Sequence, residues 1–562
     1  MVVAGLLIWS FSPVVGFAFV DWDDRHFIVE SLYTRQPFAS GLRTFLTTPW
    51  YGYPIPLVSL SWSVDARLSD GAPWSFHLTN LLLHMGNAAL VFGLAGGWLS
   101  RTVRVAPDQA SARLQAAVVA AGLWALHPVV AEPVSWCIGR KDLLCAMATL
   151  LSVLGSRLAF DRPGQGWRWL RWLGFAAALG SKPQAVIVPL LWLLDARVRS
   201  EKVPRPLLLE AGAGLALSLA FAVGSFALLG AAGGLSSTST WERVLFALRH
   251  LALQAGNYLV PISLAPRYLM EVTGWPALVA AVAGAALWLA PVLTVWRGGW
   301  RQAGAGLVWA AVCFLPVAGL VGLNRGASDS YAYLPSIGIW LALMPLLERA
   351  VRRASLRLGL LVLLLTMAVA SRSQSANWRN SESLWRRQVA VAPESASAWW
   401  SLADVYAASG RPREAVAVYE LALKVVAAPS TVAPYLAMSR GCLLAADAVC
   451  AVHWLEVAEQ AFPGQMDVAV RRMGHRALAG VTLAEADGNG LVRDWLSART
   501  GATAGDDYLL VDDDAAALAA LRLSAADENL DAGSQAGARL LLDYGRQRLA
   551  GGSGVAETPL PL

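Results

Sequence analysis

The sequence predicts an all-α protein: a polytopic membrane bundle of about eleven helices followed by a water-soluble α-solenoid of helical repeats. Three observations predict it. Hydrophobic residues make up 56% of the 562-residue chain and charged residues only 15%, against about a quarter in an ordinary soluble domain. The deficit is confined to the first ~370 residues, where apolar runs long enough to cross ~30 Å of hydrocarbon recur. From residue 397 the pattern changes to the spacing of packed soluble helices.

The candidate spans are 2–20, 77–99, 114–131, 143–160, 168–181, 183–195, 207–231, 274–296, 303–323, 334–347 and 356–371. The first lacks a basic leader and an Ala-x-Ala cleavage site, and Asp21-Trp22-Asp23-Asp24 follows at once. It therefore reads as a retained helix rather than a removed signal. The 25 Trp residues suit the membrane–water interface. The net charge of +6 is spread over short loops, so it sets topology and offers no nucleic-acid patch.

Basic loops mark the cytoplasmic side. They carry Arg101, Arg104 and Arg113; Arg157, Arg162, Arg168 and Arg171; Arg197, Arg199, Lys202 and Arg205; Arg297 and Arg301; and Arg349, Arg352, Arg353 and Arg357. These alternate correctly if segment 242–260 does not cross. Its Val244, Leu248, Leu251, Ala255, Tyr258 and Leu259 share one helical face, with Arg243, His250, Gln254 and Asn257 opposite. That is the pattern of an amphipathic helix lying in the interface. The loops 21–76, 132–142, 232–273 and 324–333, and everything after ~372, then share the extracytoplasmic side.

Three regions follow: a membrane domain over 1–372, a repeat domain over 380–550 and a flexible tail over 551–562. Trp399, Leu402, Ala403, Tyr406, Gly410, Ala415, Tyr419 and Ala422 match a tetratricopeptide repeat, with Pro429 near its end. Tyr435, Ser439, Cys442, Ala451, Leu455, Ala458 and Pro463 repeat the pattern about 36 residues on. Trp385 and Pro393 suggest the last helix of a degenerate unit before them. Stacked helix pairs present a concave surface for peptides or partners, or only cap the fold. None of the five Cys has zinc-site spacing. Cys442 and Cys450 read as two small buried residues, with a disulfide the alternative in an oxidising compartment.

The residues that could carry chemistry cluster on the loops assigned outside. Asp23 and Asp24 could supply a general base or hold a metal, or could simply form a solvated end to the first helix. His77, Asn80 and His84 share one face of the second span, facing either an aqueous pocket or a neighbouring helix. His127 and Glu132 bracket the exit of the third. Arg140, Lys141, Asp142 and Lys182 stand against the positive-inside trend, and Arg267, Glu271, Arg325 and Asp329 add further charge. Cations placed there suit an anionic head group such as a lipid phosphate, or else satisfy a neighbouring acid.

The chain resembles the transmembrane-and-tetratricopeptide O-mannosyltransferase (TMTC-like) proteins and their bacterial relatives, within the GT-C class of membrane glycosyltransferases. The resemblance runs through FVDWDDRHFI at 19–28, YPIPLVSLSW at 53–62, HLTNLLLHMGNAALVF at 77–92, LHPVVAEPVSWCIGRKDLL at 126–144, SKPQAVIVPLLWLLD at 181–195 and SYAYLPSIG at 330–338, with the repeats last. It implies transfer of a sugar, with inversion, from a polyprenyl-phosphate-linked donor to a Ser/Thr hydroxyl of a protein, or to a glycan. The family's acidic motif falls on Asp23 and Asp24. Arg140 and Lys182 match basic positions that would hold the donor phosphate. The Arg that relatives carry before the Tyr-x-Tyr-Leu-Pro-Ser stretch is Ser330 here, so Arg325 takes that role. His77, Asn80, His84, His127, Glu132, Asp329 and Tyr331 would line the pocket.

No cofactor is fixed by the sequence, and a divalent cation is left open. The partners implied are a lipid-linked sugar, an acceptor held by the repeats, and membrane lipids, with no nucleic acid. The Ala/Leu/Arg/Trp-rich composition suggests a bacterial inner membrane with the C-terminal domain in the periplasm. The competing reading is a non-catalytic membrane scaffold that recruits partners through its repeats. A transporter is disfavoured, since no inverted repeat or broken helix pair is evident.

Overall fold

The computed structural model of the chain describes residues 1–31, 55–98, 107–162, 166–200, 202–231, 239–270, 274–296, 301–320, 326–425, 431–444 and 448–463. Arg325, Glu271, the tail at 551–562 and the repeat region past 463 lie outside the described residues. Helices account for the architecture, and among the described residues the only β contact is a single bridge between Tyr268 and Ala327. Two compact units divide at Ala392 and Pro393.

In the first unit the helices are α1 (Val2–Phe11), α2 (Pro56–Leu68), α3 (Pro73–Trp98), α4 (Pro107–Ala125), α5 (Ala131–Ser135), α6 (Arg140–Asp161), α7 (Trp167–Leu179), α8 (Val188–Arg199), α9 (Arg205–Ala231), α10 (Thr240–Leu259), α11 (Gly274–Trp296), α12 (Arg301–Phe314), α13 (Pro335–Ala350), α14 (Ala354–Ala376) and α15 (Ser381–Val391). Prolines open several of them: Pro56, Pro73, Pro107 and Pro335 each stand where a missing N–H costs nothing. Reciprocal caps start two more. Ser239 accepts the Glu242 amide while Glu242 accepts the Ser239 amide, and Asn380 and Ser383 do the same before α15.

Each of the eleven expected spans contains a helix. Five helices are long and apolar enough to cross a membrane: Pro73–Trp98, Cys137–Asp161, Arg205–Ser225, Gly274–Leu293 and Ala354–Ala376. A sixth forms if Gln109–Ala125 and Pro128–Ser135, bent by 56°, are one broken span. Pro128 explains that bend, because it can neither continue the hydrogen-bond ladder nor leave His127 helical. Val2–Gly16 and Gln302–Val317 are apolar but shorter. The helices at 167–179, 188–199 and 335–350 fall below the same length. The chain is an integral membrane protein.

Close approach fixes one crossing. A Cβ on Gly306 of α12 would collide with the Ala342 backbone of α13, and one on Gly338 with the Gly306 carbonyl. Only glycines allow these helices so near, the usual device where lipid replaces water. Trp98, Trp124, Trp192 and Trp309 fill the bundle interior, and their indole N–H groups find partners such as the Gln302 and Leu334 carbonyls.

Polar layers stand at both ends of α6. Arg140 and Asp142 open the helix, and Arg157 lies near its close, about 25 Å along the axis. Arg157 pairs with Asp195 at 2.6 Å and donates to the Leu94 carbonyl. That far layer carries none of the residues expected to act. The near layer carries the residues expected to act.

Helix α10 is amphipathic as expected, with its polar side turned into the protein. His250, Gln254 and Asn257 are buried, while Trp241 and Leu259 are exposed. Gln254 donates to the Ser328 carbonyl at 2.8 Å, and His250 contacts the Ala318 carbonyl at 3.3 Å.

The second unit begins with the helix pair α16 (Ala396–Ala408) and α17 (Pro412–Val425), then α18 (Ala433–Leu444) and α19 (Ala448–Ala461). Gly410, with φ +73°, makes the turn in the first pair. Trp399, Leu402, Ala403, Tyr406, Ala415, Tyr419 and Ala422 are buried between them. Cys442 and Cys450 are joined as a disulfide, with Cα atoms 5.6 Å apart. This reverses the expectation of two unpaired residues: the helix pair brings their Cα atoms within bonding range, which spacing alone does not reveal. Helix α15 belongs to the first unit, and Trp385 packs on Trp22 of the loop that follows α1.

Candidate active site

After α1 the chain makes a tight turn at Ser12–Gly16 and an extended run to Val20, then the acidic loop and a π-helical turn at Arg25–Val29. The three carboxylates of the loop differ. Asp21 is exposed, Asp23 half-buried, and Asp24 only 1% exposed. Asp24 Oδ2 accepts the Val20 amide at 3.0 Å. Its other oxygen faces the Trp136 indole and the Ile138 amide without making a hydrogen bond of ordinary geometry. Burial pushes the Asp24 carboxyl up from 3.8 to about 7; the Val20 amide opposes this and Asp23 adds to it. A carboxylate poised there can take a proton from a hydroxyl near neutral pH.

The wall opposite Asp24 is the segment from Glu132 to Arg140. Gly139 is required in it, because a Cβ would strike the Pro133 carbonyl where the chain doubles back. Asn80 holds the fold of this segment: its amide donates to the Trp136 carbonyl at 2.8 Å, and its oxygen accepts from Arg140 Nε at 2.5 Å. His77 lies against Cys137, with Nε2 3.4 Å from Sγ, and its ring meets Phe17 edge-on.

Arg140 is wholly buried. Besides Asn80, it donates to Asp65 Oδ2 at 2.6 Å, to the Phe76 carbonyl at 2.7 Å and to Ser61 Oγ at 3.0 Å. Its guanidinium therefore ties α2 and α3 to the start of α6. Lys182 meets Asp142 at 2.5 Å, and its ammonium lies 5.0 Å from the Tyr331 ring, within cation–π range. One Asp142 oxygen is buried without a hydrogen-bond partner.

A third acidic group lies beside α10. Asp329 accepts from the Tyr268 hydroxyl at 2.7 Å, from Asn257 at 3.1 Å and from the Ala265 amide at 3.0 Å. Burial pushes its carboxyl well above the usual range and the Glu132 charge adds to this, while those donors oppose it. Glu132 accepts from Ser328 at 2.9 Å.

The chain is 40% identical over 114 residues to protein O-mannosyl-transferase TMTC4 of Homo sapiens. It is 39% identical over 118 residues to the Mus musculus protein of that name. Protein O-mannosyl-transferase Tmtc2 of Drosophila melanogaster is 36% identical over 119 residues. Over these stretches the chain is similar to TMTC proteins. The likeness covers 19%, 19% and 20% of this chain, and it spans only 14%, 15% and 11% of the respective relatives. No family model matches the chain. No solved structure matches it.

The fold gathers most of the expected site residues at one end of the first unit, but not all in one role. Asp24, His77 and Asn80 adjoin the 132–140 segment, which ends on Arg140, and Asp23 stands beside Asp24; Lys182 and Tyr331 adjoin Asp142; Glu132 and Asp329 form the third group. His84 is set apart. Its Nε2 donates to the Ala125 carbonyl at 3.0 Å and its Nδ1 accepts from the Tyr333 hydroxyl at 2.8 Å, so it ties α3 and α4 to the turn before α13. His127 is likewise satisfied. It donates from Nε2 to the Tyr258 carbonyl at 2.9 Å, accepts the Val129 amide at 3.3 Å, and stacks on Tyr258 with ring centroids 4.1 Å apart.

Sequence reasoning missed Asp65, Tyr268 and the active part of Asn257. The signal for Asp65 was Arg140 itself, since a buried guanidinium demands a carboxylate. Among the described residues, no three His, Cys, Asp or Glu side chains converge as a metal-ligand set.

Proposed function

We propose that this chain is a membrane glycosyltransferase that moves a sugar from a polyprenyl-phosphate donor to a Ser/Thr hydroxyl of a protein on the extracytoplasmic side. The observation that carries the reading is Asp24: a carboxyl buried at the end of the first helix, held near neutrality, in a chain similar to proteins named as protein O-mannosyl-transferases.

In this reading Asp24 accepts the acceptor hydroxyl proton as that oxygen attacks the anomeric carbon. The bond between this carbon and the phosphate oxygen breaks on the opposite face, giving inversion and releasing lipid phosphate. Phosphate leaves readily, so placement and charge supply most of the rate. Lys182 is the cation suited to the departing phosphate, with Asp142 holding it until the donor arrives. Arg140, fully engaged with Asp65 and Asn80, shapes the wall rather than reaching a ligand. Asp23, half-exposed beside Asp24, faces the acceptor. The GT-C architecture and the bacterial, periplasm-facing placement belong to this same reading, and the Cys442–Cys450 disulfide favours an oxidising compartment for the repeats. The repeats would hold the acceptor polypeptide.

The test is transfer from a polyprenyl-phosphate sugar to a Ser/Thr peptide by the full chain in lipid nanodiscs, read by mass spectrometry. Transfer that is lost in Asp24→Asn supports the reading. Wild-type membranes that transfer no sugar to any peptide while the repeats still capture partners would favour the scaffold.

A further inference from the structure

We propose that α15 is a strap that positions the acidic loop, with Trp385 as its positioning residue. The loop from Phe17 to Asp24 has little regular structure of its own. Its path is set by partners from a segment more than 350 residues away. The Ala18 amide donates to the Arg379 carbonyl at 3.0 Å, and the Asp21 amide to Ser381 Oγ at 2.7 Å. Trp385 Nε1 donates to the Asp21 carbonyl at 3.2 Å, and its ring stacks on Trp22 with centroids 4.9 Å apart and planes 6° apart.

The same segment holds the opposite wall. Trp378, just before α15, stacks on Trp136 at 5.5 Å, and Trp136 is the residue that Asp24 faces. Asp24 therefore sits between two backbone stretches, each gripped by one tryptophan of the strap. The far side of α15 grips a third stretch. Arg387 donates to the Leu264 and Ile262 carbonyls at 3.0 and 2.6 Å. Gln388 both accepts from the Arg267 amide and donates to its carbonyl, at 3.2 and 2.8 Å. This stretch supplies the Ala265 amide and Tyr268 hydroxyl to Asp329. Packing for bulk alone would not place backbone-directed hydrogen bonds on two separate loops and a ring stack on a third, each bearing or facing an acid.

The proposal rests on Asp24 acting as the base, but its packing claim is testable without activity. Amide hydrogen exchange is measured on the full chain in nanodiscs for wild type, Trp385→Ala, Trp385→Phe and Ser381→Ala. Trp385→Ala should speed exchange of residues 18–24 by about ten-fold or more while α6 and α13 stay protected. Trp385→Phe, which keeps a ring against Trp22, should recover most of that protection. If Trp385→Ala loosens the whole first unit, Ser381→Ala decides, and a rise confined to 18–24 is expected. Unchanged exchange at 18–24 in both alanine variants overturns the proposal. In the transfer assay, Trp385→Ala should lower kcat with little change in the donor KM, and Trp385→Phe should restore it; a rise in KM alone overturns the positioning role. Faster loop exchange together with a fully active Asp24→Asn leaves the strap standing and removes the transferase reading.

Discussion

Asp24 and Asp23 are adjacent, yet only Asp24 is enclosed: its burial raises its carboxyl to about 7, so it titrates where a hydroxyl-activating base is useful. Transfer should rise with pH through about 7 as Asp24 loses its proton, a limb that a pH–kcat profile would show. The same burial has a stability cost of fixed sign. The folded-state value lies above the unfolded one, so the stability this group contributes is complete below 3.8 and is lost as pH rises to about 7. That difference corresponds to roughly 4 kcal/mol. Asp24→Asn should therefore unfold at a higher temperature than wild type at pH 8 and lose that advantage by pH 4, measured by thermal melts in nanodiscs. A mutant less stable than wild type at pH 8 would argue against the buried ionised carboxylate. Arg140 gives a contrasting prediction. Because Asp65 neutralises it in a fully buried site, Asp65→Ala should cost about 3–5 kcal/mol of stability. A surface-like loss of under about 1 kcal/mol would mean that the pair is open to water.

At the scale of elements, close glycine contact and inward-facing polar groups decide how helices meet. Gly306→Leu should separate α12 from α13, costing about 1–3 kcal/mol and loosening the Tyr331–Tyr333 turn that follows α12. Melting temperature and exchange at 328–334 would both report it. The helices themselves were readable from sequence, since apolar runs of this length are long-range-independent signals. Which face of α10 meets protein was not: amphipathicity gives a polar face, and only the Ser328 and Asp329 loop explains why that face turns inward. The same limit applies to His84 and Arg140. Their types and helical register were visible, but their partners Tyr333 and Asp65 lie on other elements, and no spacing rule connects them. The contacts of α15 are hidden for a related reason: Trp385 suits a degenerate repeat by spacing, and its partner Trp22 lies more than 350 residues away.

At the scale of the molecule, the first unit brings most of the candidate site residues to one end, and the second unit follows it in sequence at Pro393. The enzyme reading requires both to face the oxidising side. Cys442 and Cys450 should therefore resist maleimide in intact cells until a reductant is added, with the C-terminal unit accessible to an external protease. Labelling without reductant, together with protease protection, would place the unit in the cytoplasm. The most direct test of the central claim is sugar transfer by Asp24→Asn beside wild type. Wild type should modify Ser/Thr peptides from a polyprenyl-phosphate sugar, and Asp24→Asn should fall by about 10²–10⁴-fold while remaining folded. Equal transfer by the two proteins would contradict it.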